Sequence, residues 1–160
     1  METKLLITPE QVVELAFGCG CDKHLVVADI GEATIVAAES KFVVPVFGAE
    51  MVEQMRSGSY AELVDCYLRP ALALYVKYLV LPTLAVKVGA AGVVSYTGEG
   101  FEPSDEQAVK QLLRRTKADA DALIDRAVAV VEAAPAGAYP LYHAGHNIRH
   151  RVNISSGIVL

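Results

Sequence analysis

The sequence predicts a mainly helical protein, a bundle of about five helices with a small β-hairpin and an extended C-terminal tail. Three observations predict this class: capping pairs at four segment starts, apolar residues at three- and four-residue steps, and a central segment that is apolar nearly all round. With 160 residues, 53% of them apolar, the chain is long enough to bury one core. We therefore expect a helical domain at residues 1–140 and an extended tail at residues 141–160.

Four predicted helices begin with a capping box, in which two side chains three positions apart satisfy backbone amides of the first turn. The first helix is short and ends near Phe17, and the second starts near Ile30 and stops at Pro45, because proline lacks the donor that a helix interior needs. A third helix, from Ala49 to about Arg56, turns its methionines and Val52 inward. The capping pairs are Thr8 with Gln11, Asp29 with Glu32, Ser59 with Glu62, and Ser104 with Gln107.

The fourth predicted helix, from Tyr60 to about Leu81, has apolar residues on every side, which places it at the centre of the bundle. Pro70 must either kink this helix or restart it, since a mid-helix proline deletes one backbone hydrogen bond. Its cysteine, Cys66, is expected to be inert packing and not a nucleophile. The apolar stretch is too short, and too interrupted by Pro82, to predict a membrane span.

After Pro82 the pattern changes to a β-hairpin at about residues 85–97, where β-branched runs flank a glycine-bounded turn. The last helix is predicted from apolar residues that recur between Val109 and Val131, with charged residues on its other face. Because lysines and arginines lie among Asp119, Asp121 and Asp125, these carboxylates favour a mixed, solvated surface over an acid–base or cation site. Arg115 and Asp119 are one turn apart and are expected to pair weakly.

Composition and motifs exclude several classes of function. A net charge of −5 offers no basic surface for nucleic acid, and no dinucleotide or Walker motif supports phosphate binding. Three cysteines, two of them separated by one glycine, do not predict a secreted disulfide framework. The apolar run at the N-terminus is too short to be typical of a signal peptide. We therefore expect a cytoplasmic protein without a cofactor.

A zinc site is the sharpest chemical alternative, because histidines and cysteines of the right type occur in two clusters. Their spacing matches no common structural zinc pattern, so we predict no metal site and no catalytic residue. The alternative to a structural protein is a helical protein that binds a metal or another ligand through both clusters. Such a protein could be an enzyme. Its residues are Cys19, Cys21 and His24 in one cluster and His143, His146 and His150 in the other.

Three runs in the middle of the chain are similar to a known family. They are AESKFVVPVFG at 38–48, LRPALA at 68–73 and LPTLAVKVGAAGV at 81–93. These packing and turn motifs resemble the small helical head-tail connector, or head-completion, proteins of long-tailed phages, in a Bacteroides-type prophage form. The likeness covers about residues 30–97, and the long later helix lies in the expected place.

The resemblance implies a non-enzymatic structural subunit. Identical copies would form a ring beneath the phage portal and extend the channel through which DNA passes without sequence-specific binding. The partners would be further copies of the chain, the portal and the tail-completion proteins, in the cytoplasm of the bacterial host during assembly and then in the virion. A regulatory interaction module is a third possibility.

The hairpin and the tail are the predicted assembly surfaces, because both combine β-branched residues with glycines outside the periodic helices. Extended apolar segments leave backbone groups that a neighbouring subunit can pair by strand addition. For the tail, the alternative is that it packs back on its own bundle or is disordered. The predicted interface residues are Val86, Val88, Val93, Val94, Val152, Ile154, Ile158 and Val159.

Overall fold

The structure, a computed structural model, describes residues 4–18, 27–89, 92–95 and 106–150. These residues are mainly helical, which confirms the predicted class. Two π-helical segments, Glu39–Val43 and Val64–Leu68, lie within the chain of helices, and two 3-10 turns, Ala144–His146 and Ile148–His150, follow the last one. The α-helices are α1 (Pro9–Ala16), α2 (Glu32–Ala38), α3 (Val44–Phe47), α4 (Ala49–Arg56), α5 (Ala61–Leu63), α6 (Arg69–Ala85) and α7 (Glu106–Ala133).

Each π-helical segment lies directly before a helix whose second residue is proline. The backbone N–H that closes each segment donates five residues back, from Val44 to Glu39 and from Arg69 to Val64. A proline has no N–H, and its ring excludes the carbonyl four residues earlier, so the wider turn lets the helical path continue. The prediction that the second helix stops at Pro45 is therefore wrong.

The central helix is also longer than predicted. It is built from α5, the second π-helical segment and α6, and it ends at Ala85 with Pro82 inside its last turn. A proline there removes one backbone bond close to a helix end, where several carbonyls lack a helical partner in any case. The hydroxyl of Thr83 donates to the carbonyl of Val80 at 3.0 Å. The predicted end near Leu81 is wrong for this reason.

Of the predicted capping boxes that fall among the described residues, one is formed and two are not. Thr8 and Gln11 form the predicted reciprocal pair, with Gln11 N donating to Thr8 Oγ1 and Thr8 N to Gln11 Oε1. The helix α2 instead begins after Gly31, whose extended backbone forms the cap without a side chain, so the box predicted at Asp29 is wrong.

The box predicted at Ser59 is wrong as well. Helix α5 begins after Tyr60, which adopts a left-handed conformation with φ of 59°. The hydroxyl of Ser59 donates to Gln54 Oε1 at 3.3 Å and therefore belongs to the preceding turn. The fourth predicted box, at Ser104, lies outside the described residues.

Helix α6 is the centre of the bundle, as its apolar sequence predicts, and packs against α1, α2 and most extensively α7. The ring of Phe42, from the first π-helical segment, stacks on that of Tyr75 with centroids 4.1 Å apart. Helix α4 has the predicted bounds and turns Met51, Val52 and Met55 inward. The largest fully buried apolar side chains are those of Ile7, Ile35, Phe47, Met51, Leu63, Leu68, Leu72, Tyr75 and Ile124.

Two short strands follow α6. Strands β1 (Val86–Gly89) and β2 (Gly92–Ser95) pair antiparallel, with Val88 opposite Val93 and Lys87 opposite Val94. Within the part of the chain that the structure describes, they form a sheet of two strands. None of the helices described is long and apolar enough to cross a membrane.

Candidate functional site

The charged face of α7 carries three carboxylates that hold the end of the described chain. Asp125 follows Asp121 by one turn and Glu132 follows Asp125 by two, so the three share a face; we call them the carboxylate row. An adjacent face of α7 supplies buried Ala120 and Ile124 to the core. The residues that the row binds come from positions 142–150, which we call the terminal segment.

Arg149 makes the main contact between the terminal segment and the carboxylate row. Its Nε and Nη2 donate to the two carboxylate oxygens of Asp125, the second at 2.7 Å, and its Nη1 lies 3.3 Å from Asp121 Oδ1. This is the two-pronged geometry in which an arginine binds a carboxylate most strongly. The hydrogen bonds to Asp125 raise the pKa of Arg149, against the opposing effect of partial burial.

Asp121 connects the terminal segment to the centre of the bundle. The Tyr75 hydroxyl, from the core of α6, donates to Asp121 Oδ1 at 2.6 Å, and Lys117 Nζ lies 2.7 Å from Oδ2. Burial by itself raises the pKa of Asp121, but the hydrogen bonds from Lys117 and Tyr75 and the charge of Arg149 bring it below its ordinary value. The carboxylate is thus held ionised between two helices and the segment.

Glu132 receives two further groups of the terminal segment. The Tyr142 hydroxyl donates to Glu132 Oε1 at 2.6 Å, and His150 Nε2 lies 2.8 Å from the same oxygen. Burial, followed by the hydrogen bond to Glu132, raises the pKa of Tyr142 to about 12. The segment is therefore fastened to α7 at both of its ends.

The terminal segment is also braced internally. Asn147 is fully buried, its Nδ2 donates to Tyr142 Oη at 3.0 Å, and its Oδ1 accepts the backbone N–H of Arg149 at 2.9 Å. The Tyr142 ring packs beside Phe47 of α3, with centroids 6.1 Å apart. The prediction of an extended tail is wrong for residues 141–150, because the contacts of Tyr142 and Asn147 fold them into turns against the bundle.

The tail histidines do not converge on one point. The rings of His143 and His146 contact each other edge to face at 5.5 Å, whereas His150 binds Glu132. Among the residues that the structure describes, no group of three or more His, Cys, Asp or Glu side chains is placed to hold a metal ion. Cys19, Cys21 and His24 lie outside the described residues.

The other predicted site residues fall in different places. The backbones of Val86, Val88, Val93 and Val94 lie in strands β1 and β2. Cys66 is exposed, so the expectation that it packs in the core is wrong; it lies in the second π-helical segment, whose extra residue alters which positions face inward. The predicted interface residues of the last ten positions, Val152, Ile154, Ile158 and Val159, lie outside the described residues.

A buried carboxylate, separate from the carboxylate row, joins the segment before α1 to the bundle. Glu39 is fully buried; its Oε1 accepts the backbone N–H of Leu6 at 2.9 Å, and its Oε2 lies 2.6 Å from Arg56 Nη2. Arg69 Nε donates to the carbonyl of Leu6 at 2.9 Å. These contacts hold the segment before α1 against the bundle, and we assign them a role in stability.

The sequence did not predict the roles of Tyr142, Asn147 and Arg149. Arg149 lies 24 residues from Asp125 and 28 from Asp121, so no local spacing links them. The available signal was the run of carboxylates on one face of α7 together with the basic pair that begins at Arg149. By contrast, the predicted pair of Arg115 and Asp119 occurs at 3.9 Å, the weak contact expected at exposed positions.

Residues 36–152 match the model of a family of unknown function, DUF6712. The match covers more than half of the chain and includes both π-helical segments, the carboxylate row and the terminal segment. The chain therefore belongs to this family. No curated protein and no solved structure matches it.

Proposed function

We propose that this DUF6712 protein is a non-enzymatic subunit of a phage head-tail connector. In this proposal identical copies form a ring beneath the portal, around the channel through which DNA passes. Its partners are further copies of the chain, the portal and the tail-completion proteins. The sequence motifs at 38–48, 68–73 and 81–93 suggest this role; the first two lie in the helical bundle, and the third begins at the end of α6 and includes strand β1.

The proposal rests mainly on one observation, that each strand of the hairpin has an edge without a strand partner among the described residues. In the described part of the chain, β1 and β2 pair with each other and with no further strand, which leaves one edge of each without a strand partner. An isolated two-stranded hairpin is at best marginally stable in water. A neighbouring copy can pair with such an edge by strand addition, which favours a subunit built to assemble.

Charge is compatible with a passage for DNA. The chain carries a net charge of −5. A negatively charged wall does not release counterions by binding phosphates, so DNA can move past it without being held.

The test compares charged substitutions in the hairpin with the same substitution on a helix. Val86→Lys with Val88→Lys places two charges on strand β1, and charged edge strands resist pairing between chains. Leu112→Lys, at a position of α7 that is 44% exposed, is the matched control. We expect the wild type and the control to form rings by sedimentation velocity and electron microscopy, while the double variant stays monomeric with unchanged helical circular dichroism.

Two results would contradict the proposal. One is a wild type that stays monomeric both alone and when mixed with a phage portal protein. The other is a double variant that assembles as the wild type does. Portal, capsid and tail genes next to the gene for this chain are the expected genomic setting.

A further inference from the structure

The terminal segment binds the bundle in the way that a separate peptide ligand binds its receptor. Its fastening to the bundle relies on side chains, Arg149 and His150 on the carboxylate row and the Tyr142 ring beside Phe47. Side-chain contacts of this kind do not depend on chain continuity. A copy of the segment from a second molecule can make the same contacts.

The internal bracing of the segment lets it keep its shape when it moves. The nitrogen and the oxygen of the Asn147 side-chain amide are both bound within the segment, to Tyr142 and Arg149. Backbone bonds inside it, from His146 to His143 and from His150 to Asn147, form the two 3-10 turns. A ligand that is already ordered loses less conformational entropy on binding than an unstructured one.

Charge complementarity identifies the occupant of the carboxylate row. Asp121 and Asp125 pair with the charge of Arg149, and Glu132 lies 2.8 Å from His150 Nε2. Every copy of the chain carries both the row and the segment. A contact of this heterologous type passes from each copy to the next and closes into a ring when the rotation between copies allows it.

Residues 134–141 connect α7 to the terminal segment and would act as the hinge of an exchange. They contain turns and no regular helix or strand, with prolines at 135 and 140 and a left-handed glycine, Gly137, with φ of 87°. Exchange of an element between copies requires new dihedral angles in such a linker and leaves the contacts of the element unchanged.

From these four features we infer that, in the assembled ring, the terminal segment of one copy binds the carboxylate row of the neighbouring copy. The segment bound to its own α7 is the form of the single molecule. The inference rests on the proposed function, because it requires copies of the chain to associate. It adds a second link between neighbours, beside the hairpin.

The test is a charge reversal on each side of the contact. Asp125→Arg and Arg149→Asp each place like charges together, whether the segment binds its own copy or a neighbour. When the two variants are mixed, opposite charges meet only between different copies, so exchange restores assembly in the mixture alone. We expect each variant to assemble at least about tenfold more weakly than the wild type, and the mixture to recover to within about threefold, by sedimentation velocity.

Controls separate the possible outcomes. The double variant Asp125→Arg/Arg149→Asp restores opposite charges in every arrangement and checks that the reversed pair is tolerated. Asp119→Arg, at an exposed neighbouring position of α7, gives the same change of charge away from the row. Circular dichroism of each variant verifies that the bundle is folded.

Recovery of the double variant without recovery of the mixture would overturn the exchange and assign the segment to its own copy. Single variants that assemble as the wild type does would overturn it too. A wild type that never associates would overturn the ring and the exchange together. Assembly of the wild type without rescue by mixing would overturn the exchange alone, so the two failures are distinguishable.

Discussion

The two faces of α7 make different kinds of interaction, apolar packing on one and ion pairs on the other. One face packs buried Ala120, Ile124 and Ala127 against the bundle, where apolar burial is non-directional and is not weakened by electrostatic screening. The other face binds the terminal segment through ion pairs that are partly exposed, such as that between Arg149 and Asp125. Salt screens such pairs, and each contributes little to stability. The bundle therefore determines whether the chain folds, while the carboxylate row determines where the terminal segment is docked.

The greatest loss of stability is expected from a cavity in the apolar core of the bundle. Leu72 of α6 is fully buried, so Leu72→Ala should lower the free energy of unfolding by about 2–5 kcal/mol through the cavity it leaves. Leu79→Ala is the matched change, at a position of the same helix that is only partly buried, and should cost clearly less. Urea denaturation of both variants measures the difference. Equal losses at the two sites would mean that α6 is not centred as described.

A buried charge tests whether the core itself depends on polar contacts. Glu39→Gln keeps the shape of the side chain but removes the charge that faces Arg56, and should cost about 1.5–3 kcal/mol. Glu53→Gln removes a carboxylate from the same arginine at a side chain that is 73% exposed, and should cost less than about 1 kcal/mol. Chemical denaturation at pH 7 gives both values. Similar losses would show that burial does not determine the strength of these pairs.

Much of the bundle was predictable from local sequence. The methionines of α4, the capping pair of Thr8 and the apolar spacing of α7 each act within a few residues. The errors also have local causes. Proline was taken as a stop signal at Pro45 and Pro82, but a π-helical turn before the first and a position near the helix end at the second remove the conflict.

The candidate site was hardly predictable. Each of its contacts joins residues that are distant in sequence, such as Tyr75 with Asp121, which are 46 residues apart. Periodicity identifies Asp121 and Asp125 as surface positions, which is correct for Asp125, whereas Asp121 is half-buried. It does not indicate what binds either of them. Asn147 is a polar residue in an irregular segment, and its burial follows from the tertiary packing of that segment alone.

Salt should distinguish the two faces of α7 directly. Arg149→Gln removes the charge that binds Asp121 and Asp125, and should cost about 0.5–1 kcal/mol at low salt and almost nothing near 1 M salt. Arg115→Gln, at a side chain that is 84% exposed, is the control and should have no measurable effect at either salt concentration. Thermal melts at two ionic strengths test this. A loss at Arg149 that is unchanged by salt would mean that its packing, and not its charge, holds the terminal segment.

The smallest expected effect is a response of the terminal segment to alkaline pH. The pKa of Tyr142 is raised to about 12 by burial and by its hydrogen bond to Glu132, whereas an unfolded tyrosine titrates near 10. Because the folded state holds this proton more tightly, its contribution to stability is complete below about pH 10 and is lost as pH rises toward 12. Tyr142→Phe removes the contribution, so the difference in stability between wild type and variant should shrink over that interval.

The same titration can be followed optically, since the chain contains no tryptophan and tyrosine absorbance near 295 nm is unobstructed. Subtracting the Tyr142→Phe curve from that of the wild type should isolate one phenol that ionises late, and Tyr139→Phe controls for the loss of a neighbouring tyrosine. If Arg149→Gln also moves this late phenol toward pH 10, then Tyr142 and Arg149 are released together and the segment opens as one unit. If it does not, the contact at Glu132 holds by itself, and the two ends of the segment are fastened independently. A difference curve centred at pH 10 in the wild type would mean that the Tyr142 hydroxyl is not held by Glu132 at all.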